Sequence, residues 1–365
     1  TTRAQRGNGL AISISGGRPT ENVFRIDGLV INDHNNGGPG SSLHVNMGVD
    51  AIREFSVLTN NYTAEFGRGA SGVVNAITKS GTNDYHGSLY YFHRNSAFDA
   101  KNYFDKADPA PIPAFRRHQY GGSFGGRIKK DKTFFFTNYE TLTEMKGLSY
   151  ANDTISDNVR KGILCNDAKC TSTRQVTVDP RIKPYLNIYA PATITTGDVG
   201  KFLFAANRLG DEKFIIGKVD HYFTTNTILN GHYSYDNTSL TSPDFYNQKD
   251  SAAPSRKING IISLQHIFTP TLINNTRAGF TRNRAGNAID CCVRFAPLED
   301  LSLGFVPGRP VGTFNTTGIS GTSNFGGIGT SGLNDFHYTA PQLYNDTTWT
   351  RGRHNIKFGA GIERV

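Results

Sequence analysis

The sequence predicts a mainly β fold in which a small α+β unit precedes a partial transmembrane antiparallel β-barrel of about nine strands. From about Tyr85 onward, long strand-like segments are joined by connections that alternate between very short and very long. Within these segments apolar and polar residues alternate with the period of two that a one-sided sheet requires. No stretch approaches the roughly 20 apolar residues of a transmembrane helix, so a membrane protein of this composition has to cross with strands.

The first 82 residues read differently from the rest of the chain. NVFRIDGLVIND forms a strand–turn–strand pattern, and a stretch rich in glycine and asparagine follows at Asn32–Ser42. VDAIREFSVLT predicts a helix that passes into a strand, with one apolar side formed by Val49, Ile52, Phe55 and Val57. GVVNAITKSG predicts a further strand that ends at Ser80-Gly81. Short mixed elements of this kind indicate a small α+β unit.

The later strands pair through tight turns. HGSLYYFHRN leads through a long polar stretch to YGGSFGGRI, which meets TFFFTNYETL across Lys129–Lys132. Three further pairs meet at Thr224–Asn226, Thr269–Pro270 and Arg351–Arg353. The connections between these pairs are long. Short turns at one end and long loops at the other are typical of an outer-membrane β-barrel.

Alternation can be followed residue by residue along the strand after Arg256. Its first face carries Ile258, Gly260, Ile262, Leu264 and Phe268, and its second face carries Asn259, Ser263 and Gln265. In a membrane barrel the apolar face points outward, whereas in a soluble adhesin or lectin it points inward, and alternation alone fits both. Strand lengths near or above the roughly 9–11 residues that cross a bilayer favour the membrane.

Net charge, cysteine positions and short motifs limit the classes of function that fit this chain. The net charge is +9, but the cations are scattered, often singly, along strands and turns and form no stripe with interleaved aromatics, so we predict no nucleic-acid partner. The cysteines form two local pairs, Cys165/Cys170 and Cys291/Cys292, for which a loop disulfide and free thiols both remain open. No HExxH pair occurs, and we predict no catalytic residues, no cofactor and no metal site.

Several segments resemble TonB-dependent outer-membrane receptors, and most closely their Oar-like branch, whose members often carry a carboxypeptidase-regulatory-like domain. The resemblance rests on NVFRIDGLVIND, on AIREFSVLTNNYTAEFGRGASGVVNAITKSGTNDYHGSLYYFHRN and on RHQYGGSFGGRIKKDKTFFFTNYE. It continues through DEKFIIGKVDHYFTTNTILNGHYSYDN, LQHIFTPTLINNTRAGFTR and WTRGRHNIKFG. These ordered motifs extend over essentially the whole chain.

The resemblance implies a plug domain inside a barrel of about 22 strands. Residues 1–82 would be the C-terminal part of the plug, and residues 83–365 the first strands of the barrel with its long extracellular loops. Because Thr1 has no lead-in and Val365 lies within a strand pattern, we expect a fragment of a longer protein. The implied partners are the TonB complex of the inner membrane, through a segment missing here, outer-membrane lipid and an unknown solute.

Two sets of site residues follow from this resemblance. A plug apex loop that binds substrate would contain Asn32, Asp33, His34, Asn35 and Asn36. Contacts between plug and barrel would come from Arg53, Glu54, Glu65 and Arg68. The glycines of GRGASG match a dinucleotide-binding spacing, but the β-branched VVNAIT that follows predicts a strand where such a site needs a helix.

The expected function is energy-coupled uptake of a bulky solute, such as an oligosaccharide, a peptide or a metal chelate, across the bacterial outer membrane. An alternative is a surface protein for adhesion or export without active uptake. A soluble all-β binding module is the third possibility, and it requires the apolar strand faces to be buried.

Overall fold

The computed structural model describes residues 12–33, 37–43, 48–60, 62–100, 112–244, 246–287, 289–291, 293–309, 311 and 334–364. The first strands are β1 (Val23–Ile26), β2 (Leu29–Val30), β3 (Ile52–Leu58), β4 (Val73–Thr78), β5 (His86–Asn95), β6 (Phe115–Lys129) and β7 (Thr133–Ile155). Next come α1 (Asp157–Arg160), β8 (Ile163–Cys165), β9 (Thr173–Gln175), α2 (Lys183–Leu186), β10 (Ile194–Thr196), β11 (Val199–Thr224) and β12 (Thr227–Pro243). The last strands are β13 (Asp250–Ala252), β14 (Ser255–Thr269), β15 (Leu272–Asn287), β16 (Ile289–Cys291), β17 (Asn334–Arg351) and β18 (His354–Glu363).

A small four-stranded sheet has the order β2-β1-β4-β3, with β1 and β4 parallel. Its core contains Val23, Val30 and Val73, which are buried together. The helix expected around Val49 was wrong, because only a single 3₁₀ turn forms at Val49–Ala51 before β3 begins. The β-branched and aromatic residues of IREFSVL pair with β4 in a strand, so tertiary pairing overrides the apparent helical spacing. We call residues 12–78 the small-sheet unit.

A large antiparallel sheet, here called the wall, contains nine long strands in the order β18-β17-β15-β14-β12-β11-β7-β6-β5. Its tight turns lie between β6 and β7, β11 and β12, β14 and β15, and β17 and β18. All other connections along this path are long. The mainly β, barrel-like fold and the alternation of short and long connections are therefore confirmed.

The outward face of the wall is apolar and its inward face is polar. On β14, Ile262 is 61% exposed and Phe268 is 60% exposed, whereas Ser263 between them is buried. On β11, Val219 is exposed, whereas its neighbours Lys218 and Asp220 are both buried. This orientation is that of a membrane barrel and opposite to that of a soluble one.

The length of the apolar band matches a bilayer. It runs from Phe268 to Ile258 on β14 and from Phe223 to Ile215 on β11, close to the roughly 9–11 residues that a tilted strand needs to cross. Arg256 and Lys213 follow the last apolar residue of the band on the side of the long loops, and we call this end of the band its upper limit. Within the described ranges, no helix is long and apolar enough to span a membrane.

Beyond the apolar band, the long loops pack together. We define the outer-loop cap as the described parts of residues 156–198, 244–254 and 289–311. Its core includes Ile188, Tyr189, Tyr246 and Leu298, which come from three different loops. Strand β13 pairs with both β12 and β16, and so ties two of these loops to the wall. Of the two alternatives for Cys165 and Cys170, the structure has the disulfide. Cys292 lies outside the described residues.

Candidate functional site

The inward face of the wall holds the small-sheet unit, and the first contact is at the edge strand β2. The backbone N–H of Val30 donates to Gln342 Oε1 at 2.9 Å, and Gln342 Nε2 donates to the Val30 carbonyl at 2.8 Å. The Thr281 hydroxyl donates to the same carbonyl at 2.8 Å. All three residues are buried. The Gln342 side chain thus supplies the hydrogen bonds that a neighbouring strand would give to an edge strand.

The turn between β1 and β2 contributes a charged contact. Asp27 adopts a positive φ of 49° there, so its carboxylate points toward the end of β4 and the wall. Its oxygens accept hydrogen bonds from the backbone N–H of Thr78 at 3.0 Å and from the Thr78 hydroxyl at 2.6 Å. From the wall, His232 Nδ1 lies 2.7 Å and Lys218 Nζ 3.9 Å from Asp27 Oδ2.

The groups around Asp27 determine its ionisation state. Burial by itself would raise the pKa of the carboxyl group. The hydrogen bond and charge of His232, the charge of Lys218 and the Thr78 hydroxyl outweigh burial and lower the pKa from 3.8 to about 2. Asp27 is therefore ionised at neutral pH, and its charge joins the small-sheet unit to β11 and β12.

A loop at residues 37–43 makes the next contacts. The Ser41 hydroxyl donates to Glu212 Oε2 at 2.6 Å, and the backbone N–H of Ser42 donates to Ser255 Oγ at 3.0 Å. Leu43 packs on Leu142, together with Phe214 and Leu240. Gly210 permits this approach, since a Cβ built there would lie 2.4 Å from Leu43 Cδ2. Polar bonds around a small apolar contact therefore hold the loop against the wall.

Of the residues predicted for an apex loop, Asn32 and Asp33 are described and both are buried. Asn32 Oδ1 accepts from the N–H of Phe24 at 2.9 Å, and its carbonyl accepts from Asn283 Nδ2 at 3.4 Å. Asp33 Oδ1 accepts from the N–H of Gly37 at 2.7 Å. These contacts fix the base of the loop. His34, Asn35 and Asn36 lie outside the described residues, and solute binding by this set stays a prediction.

Glu65 and Arg68 lie against β18. Lys357 Nζ is 3.5 Å from Glu65 Oε1, and Arg68 forms an ion pair with Glu363. The Thr63 hydroxyl and the charge of Lys357 lower the pKa of Glu65 although partial burial opposes them. Burial would lower the pKa of Arg68, but Tyr338 and Glu363 raise it. Arg25, which donates to the Glu65 carbonyl at 3.0 Å, packs beside this pair.

Arg53 and Glu54 are placed differently from Glu65 and Arg68. They pair with each other at 3.1 Å, and both side chains are 59% exposed. Within the described part of the chain neither forms an ion pair with the wall. A contact role between plug and barrel for these two residues therefore gains no support from the geometry and stays a prediction.

The connection from the small-sheet unit to β5 lies at the short-turn end of the wall. Asn83 Nδ2 donates to Asp131 Oδ1 at 2.6 Å, and Asn83 Oδ1 accepts from the N–H of Asp131 at 2.9 Å. Arg127 donates to the Asn83 carbonyl at 2.8 Å. Nearby, Lys79 and Ser88 both contact the Asp50 carboxylate, at 3.3 Å and 2.9 Å. The chain thus enters the wall beside the β6–β7 turn.

Sequence reasoning did not identify five residues that join β2 and the β1–β2 turn to the wall, which are Gln342, Thr281, Asp27, His232 and Lys218. A signal existed for Asp27, because Asp-Gly after a short apolar strand predicts a turn at which a carboxylate is presented. The alternation places Lys218 on the polar face of β11. Nothing in the local sequence pairs Val30 with Gln342, which lies 312 positions later.

An antiparallel wall, apolar outside and polar inside, that holds a second small sheet defines an outer-membrane β-barrel protein with an internal domain. The chain belongs to the outer membrane beta barrel domain family, which matches residues 77–365. Its place is the bacterial outer membrane.

Curated relatives specify the type of barrel. The chain is 31% identical over 140 residues to the TonB-dependent transporter Oar of Myxococcus xanthus, covering 37% of this chain and 13% of that protein. It is 36% identical over 96 residues to a probable TonB-dependent siderophore receptor, PirA, of Acinetobacter baumannii, covering 24% and 13%. The resemblance to TonB-dependent receptors is confirmed. The matched regions span 13% of the length of each of these relatives.

Solved structures share the fold. The outer membrane transporter YddB from Escherichia coli superimposes with a TM-score of 0.60 at 13% identity, covering 96% of this chain and 41% of that one. A variant of the ferric enterobactin receptor PfeA from Pseudomonas aeruginosa gives a TM-score of 0.54 at 13% identity, covering 98% and 43%. The chain thus spans less than half of either structure.

Proposed function

We propose that this chain is part of a TonB-dependent receptor that takes up a bulky solute across the outer membrane. The observation that carries the proposal is the small-sheet unit lying on the polar inner face of the wall, held there mainly by hydrogen bonds and ion pairs. Each such hydrogen bond contributes only about 0.5–1.5 kcal/mol net, so a force applied to the unit can break the contacts one after another. A transporter needs a plug that is stable at rest and movable when pulled.

The proposed division of the chain is a plug part at residues 1–82 and a barrel part at residues 83–365. In this scheme the short turns face the periplasm and the outer-loop cap faces the exterior. A solute would bind between the cap and the loop that begins at Asn32. The TonB complex would supply the force, and the protein would have no catalytic role. Candidate solutes are an oligosaccharide, a peptide or a metal chelate.

The test compares uptake with and without TonB. The full-length gene is expressed in outer-membrane hosts that differ only in a functional TonB, and labelled solutes of the three classes are offered. Uptake of one class that requires both the protein and TonB supports the proposal. Equal surface binding in both hosts, with no uptake of any class, contradicts it and favours the alternative of an adhesion or export protein.

A further inference from the structure

The outward face of the wall carries an isolated group of basic residues. We define the outer-face basic cluster as Arg256 on β14, Arg282 and Arg284 on β15, and His337 on β17. Arg256 is paired in register with Arg284, and Arg284 with His337, so their side chains share one face of the sheet. Together with Ile258 they line a cavity of about 210 Å³.

The outer-face basic cluster lies at the upper limit of the apolar band. Ile258 and Phe280 end the band on β14 and β15, and Arg256 and Arg282 are the next outward residues toward the long loops. A band of this length fills the hydrocarbon region. The outer-face basic cluster therefore lies at the height of the lipid headgroups in the outer leaflet.

The charges within the outer-face basic cluster are not balanced. Asp335 accepts hydrogen bonds from Arg284 Nε and a terminal nitrogen at 2.9 and 2.8 Å, and lies 3.5 Å from His337 Nε2. Arg256 donates to the neutral Asn237 side chain at 3.2 Å. Arg282 forms no ion pair with any residue in the described ranges. Three guanidinium groups thus share one carboxylate, and adjacent like charges on a sheet face are unfavourable unless an anion lies between them.

We propose that the outer-face basic cluster binds the phosphoryl groups of the phosphorylated glycolipid of the outer leaflet, the lipid A part of lipopolysaccharide. The guanidinium fork matches phosphate oxygens with two parallel hydrogen bonds. The apolar band directly below the arginines contacts the acyl chains of the same molecule. Height, charge and an adjoining apolar surface together distinguish a bound lipid from a free anion. The proposal goes beyond solute uptake and does not depend on it.

The test uses the full-length protein purified in detergent. Binding of lipid A is measured by native mass spectrometry for the wild type, for R256Q/R282Q/R284Q, and for the control K130Q/R351Q/R353Q. The control removes the same charge from the short-turn end. We expect the first variant to bind lipid A at least about tenfold more weakly, since basic residues at a membrane surface each contribute measurably to the binding of anionic lipid. The control variant should bind as the wild type does.

Two further measurements test whether the outer-face basic cluster recognises the phosphoryl groups of a lipid. Lipid A lacking its phosphates should bind the wild type about tenfold more weakly, and inorganic phosphate at equal concentration should not displace intact lipid A. Equal binding by wild type and R256Q/R282Q/R284Q, or full displacement by inorganic phosphate, overturns the proposal. Should the triple variant fail to fold, R282Q alone is compared with R351Q, and an equal affinity of these two for lipid A also overturns it.

Discussion

Asp27 shows how one residue couples the small-sheet unit to the wall. Its carboxylate accepts a hydrogen bond from the Thr78 backbone N–H at the end of β4 and faces the side chains of Lys218 and His232 on the wall. A turn residue in the left-handed region is uncommon outside glycine, and Asp tolerates it better than most. Its position at a strained turn next to Gly28 is therefore explained by the three groups that its side chain reaches.

We expect Asp27→Asn to destabilise the docked small-sheet unit by about 2 kcal/mol at pH 7, the equivalent of the lowered pKa. Because the folded-state pKa is below its usual value, the stabilisation is complete above about pH 4. It is lost as the pH falls toward about 2. The measurement is hydrogen exchange of the Thr78 amide in both proteins across this range, with the exposed Asp84→Asn as control. A difference that grows as the pH falls would refute this assignment.

Gln342 gives a second prediction at this scale. Gln342→Leu keeps the volume but leaves the buried N–H of Val30 without its acceptor, which costs about 1–3 kcal/mol. Hydrogen exchange at Val30 should accelerate accordingly. The control is Gln265→Leu, whose side chain also faces inward but lies on β14, nearer the short-turn end of the wall. This variant should leave hydrogen exchange at Val30 unchanged. Equal exchange in both variants would show that Gln342 does not hold the edge strand.

Single residues were the least predictable level of this structure. The pattern of alternation assigns each wall residue to a face, but it does not say which inward residue meets which part of the small-sheet unit. Glu65 and Arg68 were predicted as contacts and lie beside Lys357 and Glu363, whereas Arg53 and Glu54 of the same prediction pair with each other. Long-range partners depend on docking geometry, which local sequence does not encode.

At the scale of elements, the strands of the wall were predictable because three signals agree in each of them. Period-two alternation, lengths suited to a bilayer and turn residues at the short connections all indicate the same topology. In the Val49–Leu58 segment, the predicted strand is present as β3, but the helix predicted at its start was wrong because the signals there conflict. Its apolar spacing fits a helix, while its pairing with β4 is decided by residues elsewhere in the chain.

The outward orientation of β14 leads to a depth-dependent prediction. Ile262→Arg places a charge on the lipid face well inside the apolar band and should cost about 2–4 kcal/mol, whereas Ser239→Arg, beyond the upper limit and opposite Asp211, should cost at most about 1 kcal/mol. Denaturant titration of folding into lipid vesicles measures both. A larger cost for Ser239→Arg than for Ile262→Arg would contradict the assigned position of the band.

In the outer-loop cap, Arg160 links separate segments. Its guanidinium donates to the backbone carbonyls of Leu186, Tyr189 and Ala190. Arg160→Gln should weaken the cap by about 2 kcal/mol and speed proteolysis within residues 156–198 roughly thirtyfold. The control is Arg181→Gln, since within the described ranges Arg181 forms its ion pair with Asp179 at the surface. Identical cleavage of the two variants would mean that Arg160 does not hold the cap together.

At the scale of the whole molecule, the proposed transport would require the small-sheet unit to move relative to the wall. The Ser42 nitrogen lies 3.0 Å from Ser255 Oγ, so S42C/S255C places two thiols on facing segments of the two parts, and oxidation is used to tether them. N274C/T347C, at cross-strand partners within the wall whose side chains are 2.8 Å apart, is the matched control. In full-length protein, the oxidised tether should abolish uptake and leave solute binding intact. Uptake that continues with the tether closed would contradict a moving plug.

The length of β11 has a consequence for what reaches this protein from outside the cell. Its 26 residues, at about 3.3 Å each and a tilt of about 40°, extend roughly 65 Å, of which the bilayer occupies only about 25 Å. In the proposed orientation, with the long loops outside the cell, the cap would therefore stand well above the headgroups. Large external particles such as bacteriophages and antibodies would then meet the cap before any other part of the molecule.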